Sequence, residues 1–238
     1  MGDGETTAEQ YDAMAAEYSA ANDDGVFNSL YERPAMLSLL GDVRDQVVLD
    51  AGCGAGQLSS ELVAKGAAVT GVDVSPAMLE IAKQRLGESA SLQLADLNDP
   101  LPFDSASFDV VAASLVLHYI HDWPPVLAEF RRVLRPGGVI VLSTHHPTMD
   151  WKRFHTNDYF AKMQVTETWV KGGRPFDVTF WRRSLTEMSR EIQAAGLRID
   201  VIEEPTPLSP FDPADAEYHA YLTTHPHFIL LRLSAATS

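Results

Sequence analysis

From residue 47 onward, short apolar runs alternate with longer segments whose apolar positions recur at helical spacing. The runs Val47–Asp50, Ala68–Asp73, Ser91–Leu94, Phe108–Ala113 and Val139–Ser143 read as strands. Gln57–Lys65, Pro76–Leu86 and a segment from near Pro124 to Leu134 read as the helices between them. Ser75 is suited to cap the second of these helices, with Pro76 in its first turn, and Asp122 is suited to cap the third. Pro136-Gly137-Gly138 reads as a tight turn into the fifth strand. Strands apolar along their whole length, alternating with helices, predict a parallel sheet covered on both faces.

The flanks differ. Residues 1–10 are polar and predicted to fray. Tyr11 to Ala20 carries apolar residues at helical spacing, and a second helix is predicted over Tyr31–Leu40, with Pro34 near its start. Residues 145–180 are rich in aromatic side chains. Within them Gln164–Val170 and Phe176–Trp181 alternate around Gly172-Gly173, which predicts an antiparallel hairpin. Ser184-Leu185-Thr186-Glu187 is a capping box opening a helix that runs to Gly196. Arg198–Ile202 and Phe228–Leu233 complete a count of seven strands, separated by a proline-rich stretch at Pro205, Pro207, Pro210 and Pro213. The expected architecture is an α/β, Rossmann-like, doubly wound and mostly parallel seven-stranded sheet. One domain is expected over residues 1–238. Residues 1–40 would form an N-terminal helical cover, and 145–183 an inserted aromatic-rich hairpin cover over the substrate crevice, with a sheet-edge or dimer contact as the hairpin's other use.

Charge narrows the partners. The 238 residues carry 33 acidic and 18 basic side chains, a net charge of −15. A surface this acidic repels phosphate backbones and anionic lipid, so neither nucleic acid nor membrane is expected as a partner. Arg131, Arg132 and Arg135, and the pair Arg182 and Arg183, read as a solvated helix face and a strand end. The single cysteine, Cys53, excludes an internal disulfide. The opening Met1-Gly2-Asp3-Gly4-Glu5 has no basic or apolar leader character, and no apolar run is long enough to span a bilayer, so a cytoplasmic location is expected.

The chemistry concentrates in Val47-Val48-Leu49-Asp50-Ala51-Gly52-Cys53-Gly54-Ala55-Gly56. A strand, a glycine-rich turn and a helix let backbone approach a ligand closely and aim helix N–H groups at it. The Gly52-x-Gly54-x-Gly56 spacing differs from the G-x-G-x-x-G of dinucleotide binders. Asp50 ends the strand, where a negative charge suits a ligand ammonium and opposes a pyrophosphate. Asp73 ends the second strand and is placed to accept from ribose hydroxyls. Asp96 follows the third strand, placed to accept from an adenine amino group, with Leu97 and Met78 against the ring.

These residues resemble the class I S-adenosylmethionine-dependent methyltransferases, and within them the small-molecule "type 11" group similar to the quinone-biosynthesis methyltransferases. The resemblance covers roughly residues 11–145. It rests on the glycine segment, on Gly71-Val72-Asp73-Val74-Ser75, Asp96-Leu97, Phe108-Asp109-Val110-Val111 and Leu134-Arg135-Pro136-Gly137-Gly138. It implies S-adenosylmethionine as cofactor and S-adenosylhomocysteine as product. Gly52 and Gly54 would flank the methionine part, Asp73 would hold the ribose, Asp96 and Leu97 the adenine, and Ser114 and Leu115 would lie near the sulfonium, with Cys53 and Val74 also counted among the cofactor-binding residues. Tyr11 and Tyr18 would close over the cofactor, and Arg33 would pair with its carboxylate.

Methyl transfer asks an enzyme mainly to orient the nucleophile and exclude water, with a base only where the acceptor must lose a proton. The Asn/Asp-Pro-Pro-Tyr/Phe motif of amino-methylating nucleic-acid and protein enzymes is absent. His118 and His121 follow the fourth strand and His145 and His146 the fifth, where substrate is expected to enter, and His118, His145 and His146 are the candidate proton acceptors. Metal is not expected there, because strand neighbours point to opposite faces. Cys53 has no base partner and is not expected to act as a nucleophile. The expected function is methyl transfer to a small, apolar or aromatic acceptor, by a monomer or homodimer. The alternatives are a non-methylating reaction such as cyclisation, or non-catalytic binding of the same cofactor.

Overall fold

Five parallel strands, β1 (Val47–Ala51), β2 (Ala68–Asp73), β3 (Ala90–Leu94), β4 (Phe108–Ala113) and β5 (Leu134–His145), make most of the main sheet in a computed structural model that describes residues 6–154, 157–208 and 211–236. Helices α1 (Thr7–Asp24) and α2 (Arg33–Leu40) precede them; α3 (Gln57–Ala64), α4 (Pro76–Leu86) and α5 (Trp123–Val133) connect them. After β5 come α6 (Pro147–Arg153), the hairpin β6 (Met163–Lys171) and β7 (Arg174–Arg182), α7 (Leu185–Ala194), β8 (Leu197–Glu203), α8 (Ala216–Thr224) and β9 (Phe228–Ala235). The sheet order is β3-β2-β1-β4-β5-β9-β8, with β9 antiparallel to both neighbours. The order reverses between β1 and β4, and an open α/β sheet binds its ligand outside the strand ends at such a point.

Consecutive residues of each central strand feed opposite faces. Leu49, Val111, Leu142 and Leu231 join Trp123, Leu127, Phe130 and Ile192 on the α5–α7 side. Val48, Val110, Val141 and Leu230 join Met36, Leu40, Leu58 and Leu62 on the other. A third cluster holds the hairpin to α1 through Met14, Val165, Val178 and Phe180. The hairpin turns at Gly172 and Gly173 with φ of +57° and +77°, the left-handed pair that a two-residue turn needs. Arg174 reaches from the turn to Glu17 on α1 at 2.8 Å. On its other side α1 is tied down by Arg85, 2.7 Å from Asp23, and by Ser75, whose hydroxyl donates to Asp12 at 2.5 Å.

Several local expectations are corrected. Residues 6–10 are not frayed, because Thr6 and Glu9 form a reciprocal capping box that starts α1 at Thr7; residues 1–5 lie outside the described residues. The helix predicted from Tyr31 is entered by a π-helical turn over Val26–Glu32. Pro136-Gly137-Gly138 is not a turn before the strand: Leu134 already pairs with Phe108 and Val139 with Val110, so the three residues bulge within β5. Asp122 stands before α5 without a side-chain cap bond, whereas Ser184 accepts from the Glu187 amide, one half of the predicted capping box. Helices α6 and α8 add to the expected elements, and Pro210 of the proline-rich stretch lies outside the described residues.

Arg182 and Arg183 are not solvated; they are 1% and 2% exposed. Arg182 donates to the Asp158, Tyr159 and Ala161 carbonyls, fastening the segment before the hairpin. Arg183 stacks 4.2 Å above the Trp123 ring and lies 3.3 Å from Glu191. Burial lowers its pKa only to about 10, so it stays charged. No helix among the described residues is long and apolar enough to cross a membrane.

Phe130 is fully buried between α5 and the sheet. Phe130→Ala is expected to cost about 3–5 kcal/mol of stability, through lost apolar transfer and a residual cavity. Denaturant unfolding of the two proteins measures this directly.

Candidate active site

A crevice follows the C-terminal ends of β1, β2, β3 and β4. Arg33, Asp50, Gly54, Leu58 and Ser114 line one end; Gly52, Asp73 and Val74 line the middle; Asp96, Leu97 and Asn98 line the other. The turn after β1 is fixed by two amides, Gly52 and Cys53, donating to the Val72 carbonyl at 2.8 and 2.9 Å. Gly52 has φ +76°, and a Cβ there would collide with the Val116 side chain. The position therefore tolerates only glycine, and the tight turn brings its backbone to the crevice wall.

Asp50 is 1% exposed. Its Oδ2 accepts from the Ser59 hydroxyl at 2.6 Å, while buried Oδ1 has no hydrogen-bond partner among the described residues. Burial first, then the nearby Asp73 and Glu32, raise its pKa to about 7 despite the Ser59 bond. Asp73 is held by two backbone amides: Gly54 donates to Oδ2 at 2.8 Å and Ser75 to Oδ1 at 2.9 Å. These bonds fix the carboxylate while leaving further lone pairs. Asp96 Oδ1 accepts from the Asn98 amide and side chain at 2.9 and 2.8 Å. Met78 stands elsewhere: fully buried with Ala15 and Ala55 beneath α1, it belongs to the core rather than to a ring-binding wall. Cys53 is buried in the turn, and burial with Asp50 and Asp73 beside it pushes its thiol pKa well up, so the sulfur stays protonated.

The N-terminal cover meets the crevice through Tyr11, Tyr18 and Arg33. The Tyr11 and Tyr119 hydroxyls are 2.5 Å apart, and Tyr11 also packs edge-on against Tyr18. Arg33 donates to the Asn22 carbonyl at 3.0 Å. Beside it stands Glu32, which sequence reading missed. It is buried, accepts from Ser143 at 2.5 Å and from Ser114 at 2.8 Å, and burial raises its pKa. No local pattern marks it, because only the turn from α1 into α2 carries it over the sheet.

A second cavity, of about 390 Å³, opens beside the first and shares Tyr18, Asn22, Asn28, Leu115 and Tyr119 with it. Its far walls are His118, His145, His227, Phe180 and the β6 residues Trp169 and Lys171. The His118 and His145 rings stack at 4.1 Å, and Phe180 meets both edge-on. His145 Nδ1 is 3.5 Å from a buried Asp150 carboxylate oxygen. Burial, reinforced by His145 and Arg183, holds His118 well below the ordinary imidazole range, so it is neutral.

His146 departs from the expected role. It caps α6, with Nδ1 accepting from the Thr148 amide at 3.3 Å and Nε2 2.8 Å from Glu204, so its ring nitrogens are engaged away from the cavity. His227 takes the place that His146 was expected to fill. Burial lowers its pKa to about 3. Only topology could have found it: β9 runs antiparallel to β5 with Phe228 opposite His145, which brings residue 227 level with the mouth of the sheet.

Comparison with known proteins agrees with this geometry. A family described as "Methyltransferase domain" matches residues 49–142. A malonyl-[acyl-carrier protein] O-methyltransferase of Salmonella typhimurium is 30% identical over 176 residues, covering 68% of this chain and 69% of that protein. The chain belongs to the class I S-adenosylmethionine-dependent methyltransferases. A demethylmenaquinone methyltransferase of Lactococcus lactis is 35% identical over 162 residues, covering 65% of this chain and 60%, less than two thirds, of that protein. The fold is that of an S-adenosylmethionine-dependent methyltransferase from Mesorhizobium loti, with TM-score 0.66, 24% identity and coverage of 89% and 98%. S-adenosylmethionine is accordingly the cofactor of this methyltransferase.

Asp50 gives the methyltransferase a measurable pH signature. Its folded pKa of about 7 lies above the 3.8 of an exposed aspartate, so between those values the folded state holds a proton that the unfolded state has released. Stability from this group therefore falls as pH rises through that window, by up to about 1.4 kcal/mol per unit. Ligand-free Asp50→Asn is expected to be more stable than the parent at pH 8, with the difference shrinking towards pH 4; thermal melts across pH measure it. Glu32 and Asp73 shift in the same direction and repel the Asp50 charge, so the parent-minus-variant difference also includes the relief of that repulsion.

Proposed function

We propose that this methyltransferase transfers a methyl group to a small acceptor bearing a flat, largely apolar body, held in the histidine-lined cavity. The observation that carries the reading is the shared wall of Tyr18, Leu115 and Tyr119 between the two cavities, which puts an acceptor next to the cofactor crevice with no intervening layer. The named relatives differ in acceptor, so the cavity rather than the names supports the choice. Phe180, Trp169 and Phe27 offer aromatic surface, and a planar guest packs well on such rings.

S-adenosylmethionine supplies an electrophilic methyl on a sulfonium, a good leaving group that needs no acid. The residues present suit it. Asp50 Oδ1, buried and unpartnered among the described residues, is an acceptor for an ammonium, and Arg33 at the same end is a donor to a carboxylate. Asp73 faces the middle of the crevice with both oxygens held for a ribose diol, and Asp96 and Leu97 suit the adenine end. Tyr11, Tyr18 and Tyr119 roof the junction and exclude water. His118, kept neutral by burial, orients an acceptor hydroxyl by hydrogen bonding. His145 takes the proton where the acceptor carries one, with Asp150 behind it to stabilise the imidazolium.

Calorimetric titration with S-adenosylhomocysteine tests the cofactor half. Micromolar binding is expected, lost in Asp73→Ala, and no binding by the parent would sink the reading. Assay of phenols, quinones and indoles with S-adenosylmethionine tests the rest. A methylated product is expected to accompany S-adenosylhomocysteine release; cofactor consumption without one would favour a non-methylating reaction. For a hydroxyl acceptor, His145→Asn is expected to lower kcat about 10²–10⁴-fold while leaving S-adenosylhomocysteine affinity unchanged.

A further inference from the structure

Lys171 ends β6 at the tip of the hairpin, and its side chain lines the acceptor cavity. Its ammonium lies 5.4 Å from the centroid of the Tyr18 ring and 5.7 Å from that of Trp169. The two rings are themselves stacked at 6.0 Å. No hydrogen bond or ion pair to Lys171 is found among the described residues. This is unusual company for a lysine in a chain with 33 carboxylates and 18 lysines and arginines, where a negative partner is close to almost any cation. The other charges facing the cavity are accounted for. Arg153 is paired with Glu167, and Asp150 stands against His145. His118 and His227 are held neutral by burial.

A half-buried ammonium without a carboxylate is costly unless something compensates it. Two aromatic faces give part of that compensation and also hold the nitrogen in place. For Lys171 burial alone lowers the pKa, with no neighbouring carboxylate acting to raise it. The turn glycines and the Arg174–Glu17 ion pair fix the backbone on which the side chain stands. The cavity thus presents one positioned cation opposite its wall of histidines.

We propose that Lys171 receives an anionic group, a carboxylate or a phosphate-type oxyanion, carried by the acceptor. This rests on the acceptor cavity being the substrate site of a methyltransferase. The acceptor is then amphipathic: a flat body against Phe180 and Trp169, the methylated atom towards Tyr119 and the cofactor crevice, and a negative charge at the hairpin tip. Recognition is by charge and not by sequestered fit, since a lysine ammonium is a point charge that accepts oxyanions of either geometry.

The test is calorimetric and uses the full chain saturated with S-adenosylhomocysteine. The probes are phenylacetate, phenyl phosphate and the neutral phenylacetamide. At least one anion is expected to bind ten times or more tightly than the amide, and the two anions tell carboxylate from phosphate recognition. The preference is expected to vanish in Lys171→Met and to survive in Lys171→Arg, with melting temperatures confirming that both variants fold. Equal binding of anions and amide, no binding of any probe, or an anion preference that persists in Lys171→Met overturns the proposal. Failure of S-adenosylhomocysteine itself to bind, seen in the first titration, would instead strike the underlying reading of the site.

Discussion

A carboxylate is kept out of water at the end of β1, and much of the molecule is arranged around that fact. Asp50 lies where the strand order reverses, with the sheet on two sides, Ser59 of α3 beneath it and the N-terminal cover above. One serine bond does not offset the loss of hydration, so the ligand-free fold carries an electrostatic burden at neutral pH. The hydrophobic faces on both sides of the sheet sustain it. The parallel strands β1 and β4 are buried along most of their length, and the pairing of β1 with β2 and β4 fixes the turn that leaves one oxygen of Asp50 without a partner among the described residues.

Helix α1 and the hairpin both contribute lining residues to the crevice and the cavity. Neither α1 nor the hairpin is part of the main sheet, yet each meets the other through Met14, Val165, Val178 and Phe180. The buried Arg183, over the Trp123 ring and balanced by Glu191, joins the hairpin base to α5 and α7. Lys162, 2.8 Å from the same glutamate, extends that cluster towards the segment entering β6. Placing cations there is costly in isolation. Each has a carbonyl, a carboxylate or an aromatic face, which is the condition under which buried charge is tolerated.

How far the chain could be read in advance follows from how local each signal is. The five parallel strands and their helices were legible because apolar runs, Ser75-Pro76 and the glycine turn are complete within a few residues. The hairpin was legible for the same reason, from Gly172-Gly173 and strict alternation. What failed was long-range. Arg182 and Arg183 look like surface charge until the carbonyls of residues 158–161 and the Trp123 ring are brought to them. His227, for which no role was expected, stands in the cavity wall instead of His146 because β9 lies beside β5 and α6 starts at residue 147. Glu32 becomes part of the site only when the π-helical turn between α1 and α2 brings it to Ser114 and Ser143. Pro136-Gly137-Gly138 misled because the same residues serve a turn or a bulge, and pairing on both sides decides which.

Tyr18 belongs to the walls of both cavities, and α1 carries it. That single placement couples the two cavities: one ring forms part of the wall of each, so a change at residue 18 reshapes both at once.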